Sequence, residues 1–364
     1  MKASAGRRHD VSPSRRVPRR PADIDVATFR ALTTREDVTA VRVRDVDHGT
    51  ATRARLDITG APGLPGTAFV KLAPTRPAER LFNRFMSLAH NEAEVYRRLH
   101  PELADVMPAL YGAASDGHGR AVVVLEDLSL HDATFPPLAT GATAAQALAV
   151  AGALATVHQK FWQSTRFETD LAFLGPARSR NTRYGPHSWH LLRTIPKDFY
   201  DIAPPQFRHE ATMLIKNRWA IAALMRTYPQ SLIHGDTHLG NICFVGDRPV
   251  LFDWQVSSCG PVVKDLAYFA ATSIDSDIRR GIDTDLVRTY VETLNADGTT
   301  RLRFDDAWDS YRLFVFTAYV AAGVTAAFGR RLQGEATTRA GLDRAVQAVR
   351  DFGSLDMLRA RLEA

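Results

Sequence analysis

The chain has 364 residues, 45% of them hydrophobic and 24% charged, the proportions of a soluble globular protein with room for two lobes and a sizeable core. Its two cysteines exclude a disulfide framework and fit a reducing, cytoplasmic compartment. The net charge of +6 is concentrated in the first twenty residues, where Lys2, Arg7, Arg8, Arg15, Arg16, Arg19 and Arg20 face only Asp10. The rest of the chain is therefore neutral, which argues against a nucleic-acid-binding body.

Residues 1–22 are predicted to form a basic disordered arm. They carry Pro13 and Pro18, show no apolar periodicity and lack the apolar segment of a signal peptide. A solvated tail outweighs nucleic-acid contact as the reading of their charge. Residues 23–126 are predicted to form an N-terminal nucleotide-binding lobe. After a short helix within 23–37, Val41–Val46 and Ala54–Ile58 alternate apolar and polar residues as half-buried strands do. The turn between them holds Thr50 and Thr52, candidates to approach a nucleotide phosphate, although a plain hairpin turn fits equally well.

Thr67–Leu72 reads as a third strand with Lys71 among apolar neighbours. From Glu79 onward, Leu81, Phe85, Leu88, Val95 and Leu99 trace one helical face, on which Glu92 takes a slot that calls for an apolar residue. A buried lysine and a core-facing acid are each costly alone and sensible together. They are therefore predicted to pair, an arrangement that presents a lysine to nucleotide phosphates. Ala109–Tyr111 and Ala121–Leu125 continue as strands joined at Asp116–Gly119. The strand end at Val124–Ser129 offers backbone groups of Glu126 and Leu128 to an adenine.

Residues 127–364 are predicted to form a mainly helical C-terminal lobe. A helix runs from about Ala144 to Trp162, and its His158 reads as a packing or surface residue. Residues 165–211 show little periodicity, and a helix to about Tyr228 follows. In Ser231–Gln255, three short apolar runs flank a Gly246–Pro249 turn, so a hairpin brings Asn241, just before its first strand, toward Asp253, just after its second. Asp236, Asn241 and Asp253 then match the parts of a phosphoryl-transfer site: one carboxylate for the hydroxyl proton, an amide and a carboxylate for Mg²⁺. Ordinary turn formation by Asp and Asn is the competing reading. Zinc on His234, His238 and Cys243 is disfavoured, because Gly235 breaks a helix and the metalloprotease glutamate is missing. Asp265 is placed to cap a helix. The longest apolar stretch, Phe314–Phe328, is flanked by Arg312 and Arg330, falls short of a membrane span and reads as a buried helix.

His234-Gly-Asp-Thr-His-Leu-Gly-Asn241 resembles the His-Gly-Asp-x-x-x-x-Asn signature of the aminoglycoside phosphotransferase and choline kinase superfamily. Phe252-Asp-Trp-Gln255 is similar to its metal-binding segment, and Glu92–Tyr96 to the corresponding helix. Within that superfamily the ecdysteroid kinase-like branch and its bacterial relatives are most similar, over residues 40–330. The resemblance implies an α+β, two-lobed, protein-kinase-like fold with a small antiparallel N-terminal sheet and a larger helical lobe. It also implies ATP and Mg²⁺, and transfer of the γ-phosphate to a small-molecule hydroxyl with no membrane partner. The expected roles are Asp236 as base, Asn241 and Asp253 as metal ligands, and Lys71 held by Glu92 on the phosphates. Glu126, Leu128, Thr50 and Thr52 would contact the nucleotide, while His234 and Asp265 support the loop. Gly235 replaces the arginine of protein kinases, and the span from Asp253 to Asp265 leaves no room for a long activation loop. Basic residues outnumber acids between Arg166 and Arg226, which favours a neutral or partly apolar alcohol, although Asp305, Asp306 and Asp309 form a local acidic group. The alternatives are an aminoglycoside- or choline-type kinase for a cationic acceptor, and a non-catalytic nucleotide-binding protein.

Overall fold

Alternating side chains on successive strands must face opposite ways, so the N-terminal residues build a sheet with two different faces. The structure, a computed structural model, describes residues 17–48, 51–60, 62–204, 207–329 and 333–364. Strands β1 (Ala40–His48), β2 (Thr52–Thr59), β3 (Thr67–Leu72), β4 (Leu110–Ser115) and β5 (Ala121–Glu126) form an antiparallel sheet in the order β1-β2-β3-β5-β4. In β5, Val122 and Val124 join Leu56, Val70 and Phe29 of helix α1 (Val26–Thr33) in a small core. Val123 and Leu125 face the other way, into the main core.

The expected arm is shorter than 22 residues at its inner end. Val17 is buried in the small core, and Pro21 is buried at the start of a 3-10 turn, Pro21–Asp23. Residues 1–16 lie outside the described residues.

The single helix expected from Glu79 is two helices, α2 (Pro77–Met86) and α3 (Leu88–Leu103). Ser87 between them takes a left-handed conformation, φ 59°, which turns the axis. The two halves therefore do not share a face: Leu81 and Phe85 are 71% and 51% exposed, whereas Val95 and Leu99 are fully buried. Glu92 lies on the buried face of α3, as its slot in the pattern required.

The second lobe is mainly helical. Helix α4 (Ala144–Lys160) starts with a capping box: Thr143 Oγ1 accepts from Gln146 N–H and Gln146 Oε1 from Thr143 N–H. After it come α5 (Arg180–Tyr184) and several 3-10 turns, then α6 (Phe207–Met225). Two short sheets carry the next segment: β7 (Gln230–Ile233) pairs with β10 (Ser258–Pro261), while β6 (Ala133–Thr134), β8 (Ile242–Val245) and β9 (Arg248–Leu251) lie side by side. Helix α7 (Lys264–Ser273) is buried from Asp265 to its end, packed by α9 (Phe304–Phe314), α10 (Phe316–Ala327) and α11 (Glu335–Phe352). Its alanines at 267, 270 and 271 let those neighbours approach. Helices α8 (Ser276–Leu294) and α12 (Ser354–Glu363) complete the lobe. The apolar stretch around Phe314–Phe328 is buried in α9 and α10, and no helix among the described residues is long and apolar enough to cross a membrane. The architecture is the two-lobed α+β arrangement of protein kinases, with a cleft between sheet and helical lobe.

Candidate active site

The loop between β7 and β8 contains Asp236 and is held mainly through its backbone. His234 N–H donates to Asp265 Oδ2 at 2.6 Å and Gly235 N–H to Asp265 Oδ1 at 3.1 Å, while Thr237 Oγ1 donates to the Asp265 carbonyl at 2.8 Å. Gly235 has φ 84°, and a Cβ there would lie 2.8 Å from the Val256 carbonyl oxygen, so glycine is required. His234 Nε2–H donates to the Phe252 carbonyl at 3.0 Å, and Nδ1 accepts from Asp236 N–H at 3.3 Å. This ties the loop to the end of β9. Burial pushes the His234 imidazole down, so it is neutral and fits those two bonds.

Asp265 does not cap its helix. It lies one residue inside α7, whose N-cap is Val263, and its carboxylate turns to the loop. Burial alone would raise that carboxyl. The bond and charge of His158, with Lys264 and His234, outweigh it and hold Asp265 ionised. His158 is fully buried, its Nε2 3.4 Å from Asp265 Oδ2 and its Nδ1 2.6 Å from the Tyr290 hydroxyl.

The Asp236 side chain keeps 30% exposure toward the cleft. Tyr268 of α7 donates its hydroxyl to Oδ1 at 2.8 Å, Asn241 Nδ2 donates to Oδ2 at 3.2 Å and to the Asp236 carbonyl at 2.9 Å, and His238 Nε2 lies 3.5 Å from Oδ2. Burial raises the carboxyl, but the charge and hydrogen bond of His238, the Tyr268 hydroxyl and His234 more than reverse that, so Asp236 is a firmly ionised carboxylate. His238 Nδ1 accepts from Gly240 N–H at 3.0 Å, which leaves Nε2–H toward Asp236.

The β8–β9 hairpin has the expected register, Ile242 opposite Leu251, and Phe252 N–H donates to the Asn241 carbonyl at 3.0 Å. Asp253 follows in a left-handed conformation, φ 66°. Across the cleft, Lys71 Nζ is 2.8 Å from Glu92 Oε2 and 2.8 Å from Asp253 Oδ1. The first contact includes an aligned hydrogen bond; the second brings the charges together without one, leaving Asp253 Oδ1 buried with no hydrogen-bond donor. Burial works against the Lys71 ammonium, but Asp253 and Glu92 prevail and raise it. Burial also raises Glu92, to about 7, against the pull of Lys71. Two acids on one base, with Asp236 nearby, leave excess negative charge in a buried site. Asn241 adds an amide oxygen, since its Nδ2 is committed to Asp236. This set of hard oxygen donors fits a divalent cation.

Of the other candidates, Thr52 is buried at the start of β2, opposite His48 and Leu72. Thr50 lies outside the described residues. The expected extended end at 124–129 stops at Glu126, because Asp127 turns the chain by accepting from Ser129 N–H and Oγ. Glu126 N–H bonds the Ala109 carbonyl and its Oε1 accepts from Ala109 N–H at 2.6 Å. Leu128 opens a 3-10 turn, Leu128–Leu130, whose first N–H has no acceptor within the turn. Asp306 and Asp309 are paired with Arg303 and Arg361.

Sequence reasoning missed Tyr268, His238 as a partner of Asp236, and Asn91. Asn91 Nδ2 donates to the Gln255 and Ser257 carbonyls at 2.9 and 3.1 Å, joining α3 to the segment after Asp253. Asn91 did give a signal: it is a polar residue beside Glu92 on the buried face. Tyr268 gave none, as aromatic residues in apolar helices usually pack.

Comparison with known proteins places this geometry. No curated protein matches the chain by sequence. Among solved structures, a choline kinase from Cryptosporidium parvum is similar at 11% identity over 89% of this chain and 94% of that one, with a TM-score of 0.55, a likeness of fold. A choline kinase from Streptococcus pneumoniae matches at 17% identity, 88% and 96% coverage and a TM-score of 0.47. An ADP-bound aminoglycoside phosphotransferase matches at 14%, 92% and 99%, with 0.47. The model of the phosphotransferase enzyme family (APH) matches residues 42–314, strand β1 to helix α9, and the chain belongs to that family as a kinase of small molecules.

Proposed function

We propose that the protein transfers the γ-phosphate of ATP to the hydroxyl of a neutral or partly apolar alcohol, with Asp236 as base. The observation that carries this reading is the bridge across the cleft: Lys71 of β3 meets Glu92 of α3 and Asp253 of the second lobe at 2.8 Å each. Buried charges are not brought together from three distant segments without a partner that needs them.

Asp236, held at both oxygens, accepts a proton from an incoming hydroxyl and orients its oxygen. Tyr268 and Asn241 fix the carboxylate plane, and fixed orientation removes much of the entropic barrier. Lys71 presents a positive charge to nucleotide phosphates, and Glu92 keeps that ammonium in place. The Leu128 N–H and the Glu126 carbonyl at the strand end would bond the base. Asn241 and Asp253 would hold Mg²⁺, which supplies charge neutralisation of the phosphates when bound. His234 and Asp265 keep the loop backbone in shape. The two lobes would divide the labour, residues 23–126 for nucleotide and 127–364 for acceptor.

The neutral acceptor is supported by charge: Asp306 and Asp309 are compensated by arginines, and residues 166–226 are predominantly basic. An ecdysteroid kinase-like acceptor is in line with this. The test is Mg²⁺-dependent ATP turnover with a panel of alcohols, scored by mass spectrometry for the gain of one phosphate, on wild type and Asp236→Asn. Acceptor-dependent product in wild type alone supports the reading. Nucleotide binding without product over the whole panel favours a non-catalytic binding protein. Product with polycationic or quaternary-ammonium acceptors only overturns the neutral-acceptor assignment.

A further inference from the structure

Away from the cleft, a cavity of about 160 Å³ opens between the α2–α3 junction, the β4–β5 turn and α5. Its charged walls are Arg84, His90, His118 and Arg180, and no carboxylate lines it. Arg84 has no carboxylate partner among the described residues. A Cβ on Gly119 would meet the Arg84 stem at 3.2 Å, so that glycine lets the stem lie against the turn. Arg180 NH1 donates to the carbonyls of Arg84 and Phe85 at 2.9 and 2.7 Å, closing the end of α2 from the other lobe without meeting an anion.

The acids nearby are committed elsewhere. Asp116 Oδ1 accepts from the N–H groups of His118 and Arg120, and Glu94 is paired with Arg97 and Arg98. Ser115 Oγ accepts from Gly117 N–H, so its hydrogen goes to His90 Nδ1 and leaves Nε2–H as the donor of that ring. The first turn of the 16-residue helix α3 also borders the cavity, and Ser87 makes no side-chain cap there. Two guanidinium groups, imidazole donors and a helix start around one small space form a receptor for a tetrahedral oxyanion.

We propose that this cavity binds inorganic phosphate, and that the bound anion braces α3, the helix that carries Glu92. The anion bridges Arg84 of α2, His90 of α3 and Arg180 of α5, replacing repulsion between like charges with attraction to one centre. His90 and Glu92 are two residues apart, so fixing the start of α3 restrains the partner of Lys71. The site is separate from the cleft and does not depend on which acceptor the enzyme uses.

Calorimetric titration of the full chain with inorganic phosphate, at constant ionic strength and with chloride as control, tests it. Wild type binds one phosphate in the millimolar range, Arg84→Gln about tenfold more weakly for the loss of one charge-assisted bond, and Arg84→Glu not measurably. His118→Ala, on the exposed turn, weakens binding by an independent route. Lys71→Met keeps wild-type affinity, which separates this cavity from a phosphate lodged in the cleft. Amide exchange over residues 88–95 slows with phosphate in wild type and in Lys71→Met, and not in Arg84→Glu. Absence of binding to wild type, binding that survives Arg84→Glu, or binding lost in Lys71→Met overturns the proposal.

Discussion

Asp236 and Asp253 belong to one continuous segment and face one cleft, yet different forces hold them. The Asp236 loop is fixed by short hydrogen bonds from backbone groups to a buried carboxylate, Asp265, and by side-chain donors on Asp236 itself. The Asp253 region is held by charge: a left-handed backbone, an oxygen without a hydrogen-bond donor and an ammonium 2.8 Å away. Directional bonds inside a protein make a preformed, stiff device. A charge pair without hydrogen-bond alignment can exchange one cation for another at little structural cost. The first arrangement suits a residue that must orient a hydroxyl, the second a residue that must change partners when a cation arrives.

Asp236→Asn tests the chemical half of this contrast and carries the largest expected effect. It removes the proton acceptor while leaving Tyr268 and Asn241 in place, so kcat falls about a thousandfold with thermal stability nearly unchanged. A loss below tenfold would mean that Asp236 does not act as base. Asp265→Ala tests the stiff half: it orphans two buried N–H groups and leaves His158 without its acid. A loss of about 3 kcal/mol in denaturant unfolding is expected, together with loss of activity.

Lys71→Met probes the charge-held half. It leaves Glu92 and Asp253 unneutralised, and kcat/KM for the nucleotide drops about a hundredfold. In Glu92→Gln the Lys71 ammonium keeps Asp253, so the drop is nearer tenfold; equal losses in both variants would show that Asp253 gives Lys71 no hold of its own. Tyr268→Phe removes one donor from Asp236 without leaving a cavity. A kcat about tenfold lower at unchanged KM for the nucleotide is expected, and a change in KM alone would make Tyr268 a packing residue only.

The smallest effect concerns two groups outside the site. Burial pushes the Cys243 and Cys259 thiols up to about 11 from the usual 9. A group whose pKa is raised on folding contributes stability fully present below its unfolded value and lost as pH rises through the folded one. Unfolding midpoints should therefore fall between pH 9 and 11. Both thiols should also resist alkylation at pH 8 until urea is added. Fast labelling of native protein would contradict their burial.

Much of the site was legible because buried charge is conspicuous in a sequence. A lysine in an apolar strand and an acid on a core-facing helix slot each violate a pattern, and pairing them is the cheapest repair; Lys71 and Glu92 are in contact. The hairpin was legible from its turn, and its register follows from the alternation of Ile242–Val245 and Arg248–Leu251. The break at Ser87 was not, since a serine in the left-handed region leaves no local signature. The apolar residues of α2 therefore looked continuous with those of α3, and the helix count and the exposure of Leu81 and Phe85 came out differently.

By itself, the sequence determined which side chains carry charge into the interior and where strands, turns and helices alternate, because those depend on local periodicity and on the cost of burying polar groups. Only the tertiary structure decided who meets whom beyond that: Tyr268 on Asp236, Asp253 as the second anion on Lys71, Asp265 facing a loop instead of capping its helix. Each of these contacts joins segments that lie far apart along the chain and whose local chemistry is unremarked. A hydrogen bond between distant elements is set by the packing of the helices and strands that carry its two ends, and no periodicity encodes that.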